Sequence, residues 1–418
     1  MSPSTPPKPL SGVRVIEFGQ FIAGPGATQI LADLGADVVK VESPNGDNGR
    51  RFGASEATQL RSGLFTAYNR GKRSVVLDMR LPEGLALARK LALQADVVVQ
   101  NLRPGTAEAL GLDAATLRRE KRTLIHVSIS GFGEQGPSSR RPGLDIAAQA
   151  ESGMMSVTGE RNGVPLKAGF AVADVSAANA AAQAVLAAYI YRLRTGNGET
   201  IETSLLAASV AMQAQLWGEY QYTGHQPQRA GNAQPLVAPA ADLIEVRDGH
   251  IVISAYIDAH WRRFCAAIGK AELADDPRFS KNSGRVAHRA EIIAVAREAL
   301  GHLSGEEARE LLERHSVVVG VVRDYAQVLA SADVRACGVF KPVEDATGTR
   351  FLMPALPFRF ERETGAASDV ERAPGLGEHT VEVLREAGLE PHEIERLQAC
   401  GAACSREAGL VECATGTD

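Results

Sequence analysis

Residues Val15 to Glu42 read VIEFGQFIAGPGATQILADLGADVVKVE. An apolar run, a glycine-rich turn, a helical pattern, a second apolar run and a terminal acid follow one another, which is the succession of a βαβ unit. Strands that are apolar throughout must be covered on both faces, so this unit commits the chain to a parallel sheet between layers of helices. The alternation continues downstream. Strands are expected over Val13 to Phe18, Asp37 to Val41 and Ser74 to Asp78, then in ADVVVQN and LIHVSISGF, with helices over Ala27 to Leu34 and Pro82 to Gln94. The fold class is therefore α/β.

The opening stretch comes close to a dinucleotide-binding fingerprint. Gly24 and Gly26 fill the first two glycine places, but Gln29 fills the third, where a long amide would hold helix and strand apart. Pro25 removes a backbone donor that would face a phosphate. Glu42 stands where a ribose-binding acid would stand, so an NAD site and another use of the same architecture both stay open.

Further along, Ala171 to Arg194 is alanine-rich and helical and Gly196 ends it. ETIETSLLAASVAMQAQLW reads as a strand and a helix, and Gln226 to Pro239 as a loop. LIEVRDGHIVISA reads as a hairpin around Asp248 and Gly249, and 258–330 as mostly helical. GVFKPVEDATGTRFLMPALPFRF suggests paired strands and EHTVEVLREAGL a final helix. A chain of 418 residues exceeds one ordinary core, so two domains are expected. Residues 1–225 form the first part of the larger one, 226–330 the smaller, and 331–418 return to the larger.

Composition narrows the function. A net charge of -5 with 5% aromatic residues provides neither a basic surface nor a stacking platform, so no nucleic-acid partner is expected. No apolar run spans a bilayer and MSPSTPPKPLSG has no signal-like core, which points to a cytoplasmic protein without a membrane partner. The five cysteines form no CxxC pair and suit reduced thiols. Cys400, Cys404 and Cys413 lie together without a histidine, so no metal is assigned.

PLSGVRVIEFGQFIAGPGATQILADLGADVVKVESP, NRGKRSVVLDMR, NLRPGTAEALGL, ISGFGEQGP, RRPGLDIAAQAESGMMSVTG and APGLGEHT together, in order and spacing, resemble the class III CoA-transferases of the CaiB/BaiF or formyl-CoA-transferase type. The resemblance runs from about Pro9 to about Leu397. It implies a Rossmann-like large domain built from both chain ends, an inserted smaller α+β domain, and a homodimer of interlocked subunits. It also implies transfer of CoA from a thioester to a free carboxylic acid by way of an aspartate, with coenzyme A thioester as substrate and no prosthetic group.

In TGERNGVPLKAGFAVADVSAANA the resemblance places the nucleophile at Asp174, at the start of a helix. A carboxylate can form a mixed anhydride with the donor acyl group and then a thioester with CoA. At a helix N-terminus it would be held by backbone N–H groups and kept ionised. The alternative is an aspartate that merely caps the helix of a non-catalytic CoA- or nucleotide-binding protein.

For coenzyme A the resemblance points to Ile22 and Ala23 beside the first turn, to Leu77, Asp78, Met79 and Arg80, and to Asn101, Leu102 and Arg103. Arg80, Arg103, Arg140 and Arg141 are the cations suited to its phosphates, each with a solvated surface charge as the alternative. Leu144 and Asp145 are further candidates. Asp145 and Gln149 lie four apart on one helical face, and Asp145 either neighbours the active site or caps a helix.

α-Methylacyl-CoA racemases share the superfamily and need a histidine where Leu144 stands, and leucine cannot carry a proton. His126 reads as a satisfied core residue. The glycine run of the formyl-CoA:oxalate variety is replaced by GNAQPLVAP, which favours relatives acting on dicarboxylates or carnitine. A small dicarboxylic acceptor is expected, with His225 and Arg229 as weak candidates to meet it.

Overall fold

A computed structural model describes residues 7–55, 62–233, 240–255, 257–345, 347–361, 370–407 and 410–412. The chain divides into two compact units. The larger comprises Met1–Met154, Ala168–Gly218 and Gly338–Asp418, and the smaller Met155–Lys167 and Glu219–Cys337. The changeover expected at 226 falls at Glu219, and the return expected at 331 falls at Gly338. Residues 155–167 join the smaller unit although no local periodicity marks them.

In the larger unit β1 (Arg14–Phe18), β2 (Asp37–Glu42), β3 (Arg73–Leu77), β4 (Val97–Gln100), β5 (Ile125–Ser130) and β6 (Thr200–Ser204) lie in the order β3-β2-β1-β4-β5-β6. Every neighbouring pair among them is parallel. Strand Ala403–Glu407 extends the sheet antiparallel to β3, so the C-terminal part of the chain completes a sheet begun at the N-terminal part. The order reverses direction between β1 and β4, and there the two crossovers leave a crevice at the carboxyl ends of the strands.

Alternation along each strand feeds two separate cores. Val15, Val97, Val99, Ile125 and Val127 face helices Ala23–Asp33 and Val172–Thr195. Ile16, Phe18, Val75, Leu77 and Val98 face Pro82–Gln94 and the two helices Thr380–Glu386 and Pro391–Ala399. Leu77 is thus a wall of this core, fully buried, and is not available to a ligand as the sequence had suggested.

The Val172–Thr195 helix buries Ala173, Ala177, Ala178, Ala181, Val185 and Ala188, a face of small side chains that admits a close helix. Opposite Ala178 stands Gly26, where an added Cβ would lie 3.0 Å from the Ala178 Cβ. Gly196 closes the helix in the left-handed region at φ 74°. The helix expected from Ala27 begins earlier, at Ala23, so the Gly-Pro-Gly sequence is its first turn and not a loop before it. Gln29 does not part helix from strand: it is buried and its Nε2 donates to Asp33 Oδ1 at 2.8 Å.

The smaller unit holds β7 (Ala241–Val246), β8 (Gly249–Ser254) and β9 (Val318–Val321), all antiparallel, over a core around Trp261, Phe264 and Phe279. Val246 pairs with Gly249, so the two-residue hairpin turn is Arg247-Asp248, one place earlier than expected. Cys404 is disulfide-bonded, against the expectation of five reduced thiols, while Cys265, Cys337 and Cys400 are free. Cys413 and most of GNAQPLVAP lie outside the described residues.

Candidate active site at the carboxyl ends of the sheet

The crevice between β1 and β4 is closed at its base by a side-chain clasp. Gln20 N–H donates to Asn101 Oδ1 at 2.9 Å, and Asn101 Nδ2 donates back to the Gln20 carbonyl at 3.0 Å. A Cβ on Gly24 would stand 2.9 Å from that same Asn101 oxygen, which is why glycine opens the helix there. Asn101 therefore ties the strand ends together, and Ile22 and Ala23 follow directly as N-cap and first residue of the Ala23–Asp33 helix. Between clasp and helix, Phe21 is held in the left-handed region at φ 61°, its N–H donating to Asp47 Oδ1 at 3.1 Å.

Beneath the turn lies a buried charge network that sequence reading missed. Glu17 accepts from Lys40 Nζ at 2.7 Å and from Lys72 Nζ at 2.8 Å, and none of these side chains is exposed. Lys40 also donates to the Gly19 carbonyl at 2.8 Å, and Lys72 to the Pro25 carbonyl and Thr28 Oγ1, each at 2.8 Å. Each ammonium thus binds both Glu17 and a backbone carbonyl of the turn. Burial alone would raise the Glu17 carboxyl, but the two ammoniums override it and hold it at about 2. Burial brings Lys72 down to about 8, with Glu17 opposing. The available signal was a charge inside each apolar strand, VIEF and VVKVE, together with GKRS.

Glu42 belongs to the same layer. It is buried, pairs with Arg50 at 2.6 Å and accepts from Ser74 Oγ at 2.6 Å. It cannot serve a ribose, which removes the dinucleotide reading.

Asp174 sits at the third position of its helix, and Ala171, the N-cap, offers no side chain to cap it. The capping acid comes from elsewhere: Asp145 Oδ1 accepts from Ala173 N at 2.8 Å and from Asp174 N at 3.3 Å. Asp145 opens the Asp145–Glu151 helix, after Leu144 as its N-cap. Its Oδ2 accepts from Gln149 Nε2 at 2.6 Å, and Gln149 Oε1 accepts from Ala168 N at 2.9 Å. Asp174 is thus not the cap of its helix.

Nor is Asp174 kept firmly ionised, as its helix position had suggested. Burial first, and the Asp145 charge second, raise its carboxyl from 3.8 to about 7. That shift is worth about 4 kcal/mol at 1.36 kcal/mol per unit, against about 0.3–1 kcal/mol for a charge at a helix terminus. The larger effect wins because Asp145 has taken the backbone donors. On the other side stands Tyr68, whose ring lies 3.5 Å from a Cβ built on Gly26 and whose phenol is raised by burial and by the Asp174 charge. Tyr68 was not foreseen in the sequence.

A cleft of about 430 Å³ opens beyond β4 and β5, lined by Leu102, Arg103, Ser128, Ser130, Ser139 and Arg140 among others. Arg103 and Arg140 are exposed there and form no ion pair among the described residues, whereas Arg141 is committed to Glu151 and lies 4.3 Å over the Phe132 ring. Arg80 turns back on Asp78 at 2.7 Å, with Met79 against the second core. The structure therefore brings Arg103 and Arg140 together and gives Arg141 and Arg80 neighbours of their own. His126 bonds through Nε2 to the Leu112 carbonyl at 2.9 Å while Nδ1 has no partner, so it is a core residue only half satisfied. In the smaller unit Arg229 donates to the Gly163 carbonyl at 3.0 Å, a structural use, and His225 is exposed.

The segment carrying Arg140 and Asp145 is pinned by two glycines. A Cβ on Gly143 would fall 2.7 Å from the Gly131 Cα, a distance backbone atoms cannot accept. Gly143→Ala is expected to cost about 1–3 kcal/mol through overpacking, read as a lowered midpoint in chemical denaturation.

Comparison with known proteins identifies the family. The family model described as CoA-transferase family III matches residues 10–380. The succinate–glutarate CoA-transferase of Agrobacterium fabrum is 37% identical, covering 90% of this chain and 95% of its own. The succinyl-CoA–D-citramalate CoA-transferase of Chloroflexus aurantiacus is 33% identical, covering 96% and 99%. A CaiB/BaiF family protein from Brucella suis superposes with a TM-score of 0.81 at 35% identity, over 91% of this chain and all of that one. A clasped sheet crevice, a carboxylate of raised proton affinity beside it and a match over most of the sequence lead to one conclusion: the chain belongs to CoA-transferase family III.

Proposed function

We propose that the protein moves coenzyme A from an acyl-CoA thioester to a small dicarboxylic acid, with Asp174 as covalent nucleophile. The observation that carries this reading is a half-buried carboxylate raised to about 7, free of backbone donors, beside the crevice. A carboxylate that holds its proton more tightly is also the stronger nucleophile toward an acyl carbon. The relatives named for succinate, glutarate and D-citramalate support the dicarboxylate.

In the first step an Asp174 oxygen attacks the thioester carbonyl, the C–S bond breaks and CoA leaves as thiolate, giving a mixed anhydride. The thiolate then attacks the Asp174 carbonyl and expels the donor acid as carboxylate, leaving an aspartyl-CoA thioester. An acceptor carboxylate attacks that carbonyl and releases the thiolate, which takes the acceptor acyl group and frees Asp174. No proton is gained or lost across the cycle.

Coenzyme A would lie along Ile22 and Ala23 with its phosphates toward Arg103 and Arg140. Leu102 lines the same cleft as these arginines, and the family resemblance adds Asp78, Met79, Asn101 and Leu144 to the proposed coenzyme A site. Two subunits interlocked as a homodimer complete the proposal, in keeping with the exposed apolar side chains Leu144, Ile146 and Phe170.

The test is succinyl-CoA incubated with a panel of free dicarboxylic acids and followed by mass spectrometry. New dicarboxylyl-CoA in the presence of acceptor supports transfer, and hydrolysis alone rejects it. Arg140→Ala is expected to raise the acyl-CoA KM about tenfold with kcat kept, the loss of about 1.4 kcal/mol of uniform binding. Arg141→Ala should change it far less.

A further inference from the structure

We propose that Asp145 is a positioning residue for the nucleophile: by occupying the backbone donors of the helix that carries Asp174, it keeps the Asp174 carboxylate uncapped and reactive. This rests on the transfer reading above and adds a role for a second acid.

The four N–H groups at the start of a helix lack intrahelical partners and are the natural anion holders of that element. Three of them are engaged here: Val172 N–H donates to the Phe170 carbonyl at 2.9 Å, and Ala173 and Asp174 N–H donate to Asp145, while Val175 N–H makes the first intrahelical bond, to the Ala171 carbonyl at 3.0 Å. A carboxylate bonded to several backbone N–H groups is stabilised as the anion and loses basicity. Asp145 accepts that role and spares Asp174 from it, while its own negative charge nearby resists a second one.

Gln149 makes the arrangement rigid. Its amide is fully buried, one end donating to Asp145 Oδ2 and the other accepting from Ala168 N, so it joins the cap to the strand of chain that leads into the helix. A misplaced Asp145 would break both bonds.

Few other groups act on Asp174. From the elements packed against its helix, Asp145 and the Tyr68 phenol bear on it. Asp33 is paired with Arg70 and Glu151 with Arg141. His126 bonds the Leu112 carbonyl, and Glu202 shares a hydrogen bond with Glu134. The Leu205–Ala211 helix carries no charge.

The experiment is the pH dependence of kcat/KM for succinyl-CoA in the full-length protein, Asp145→Ala and Asp145→Asn. Asp145→Ala frees the Ala173 and Asp174 N–H groups for the Asp174 carboxylate, whereas Asp145→Asn keeps an amide oxygen on them and removes only the charge. The acid limb should move down by about one pH unit in Asp145→Ala and by less in Asp145→Asn. A cap acting only on stability would lower the melting temperature and leave the limb in place, and that result overturns the inference while the transfer reading stands. Turnover surviving in Asp174→Ala would instead sink the transfer reading, so the two failures are distinct.

Discussion

Replacing Asp174 by alanine is expected to lower the rate of CoA transfer by at least about three orders of magnitude, because no neighbouring group can take over covalent catalysis. Acyl-CoA binding should be nearly unchanged, and mass spectrometry after mixing with acyl-CoA should find the adduct only in the unaltered protein. The same site should carry a stability cost. The folded carboxyl is raised to about 7 from 3.8, so its contribution is most favourable below the unfolded value and is lost as pH rises through about 7. Above that pH the ionised group costs up to about 4 kcal/mol by this shift, and solvent relaxation brings a realistic figure nearer ~2 kcal/mol. Asp174→Asn should therefore be inactive yet melt higher at pH 8.5, with the gain fading toward pH 4. Equal melting at both pH values would show that the carboxyl is not raised.

The second large effect lies beneath the turn. Glu17→Ala removes the carboxylate that bridges Lys40 and Lys72: Lys40 keeps Asp47 at 2.9 Å, but Lys72 is left buried with no counter-ion among the described residues. Breaking a buried ion pair from one side costs about 3–5 kcal/mol, since the remaining charge is uncompensated. Chemical denaturation should show that loss, and Lys72→Met added to it should restore part, because the two substitutions share a network and do not add. The pH window follows from Glu17 itself: its carboxyl is held at about 2, so its stabilisation is present above the ordinary carboxylate range and is lost as pH falls toward 2. The turn should suffer with it, as Lys40 and Lys72 also hold the Gly19 and Pro25 carbonyls.

Much of the fold was legible beforehand. Alternating apolar runs marked β1 to β6 and the helices between them, since burial on both faces leaves a periodic trace in the residues of each element. Gly196 ended its helix where a left-handed residue was needed. Other readings failed for lack of local signal. Gln29 looked obstructive because a long amide has no place in a glycine cradle, yet the place it occupies is a polar niche beside Asp33. Arg141 looked like half of a phosphate pair with Arg140, and Glu151, ten residues on, claims it.

The sequence by itself determined the α/β class and the family resemblance, and through that resemblance pointed to Asp174 as the proposed nucleophile, because each is written in neighbouring residues or in motif order. Only the tertiary structure decided what state that aspartate is in. Asp145 lies 29 positions away from Asp174, and Lys72 lies 55 from Glu17. Charge interactions act through space and depend on burial, and neither the distance between two acids nor the water between them has any trace in the order of residues along the chain.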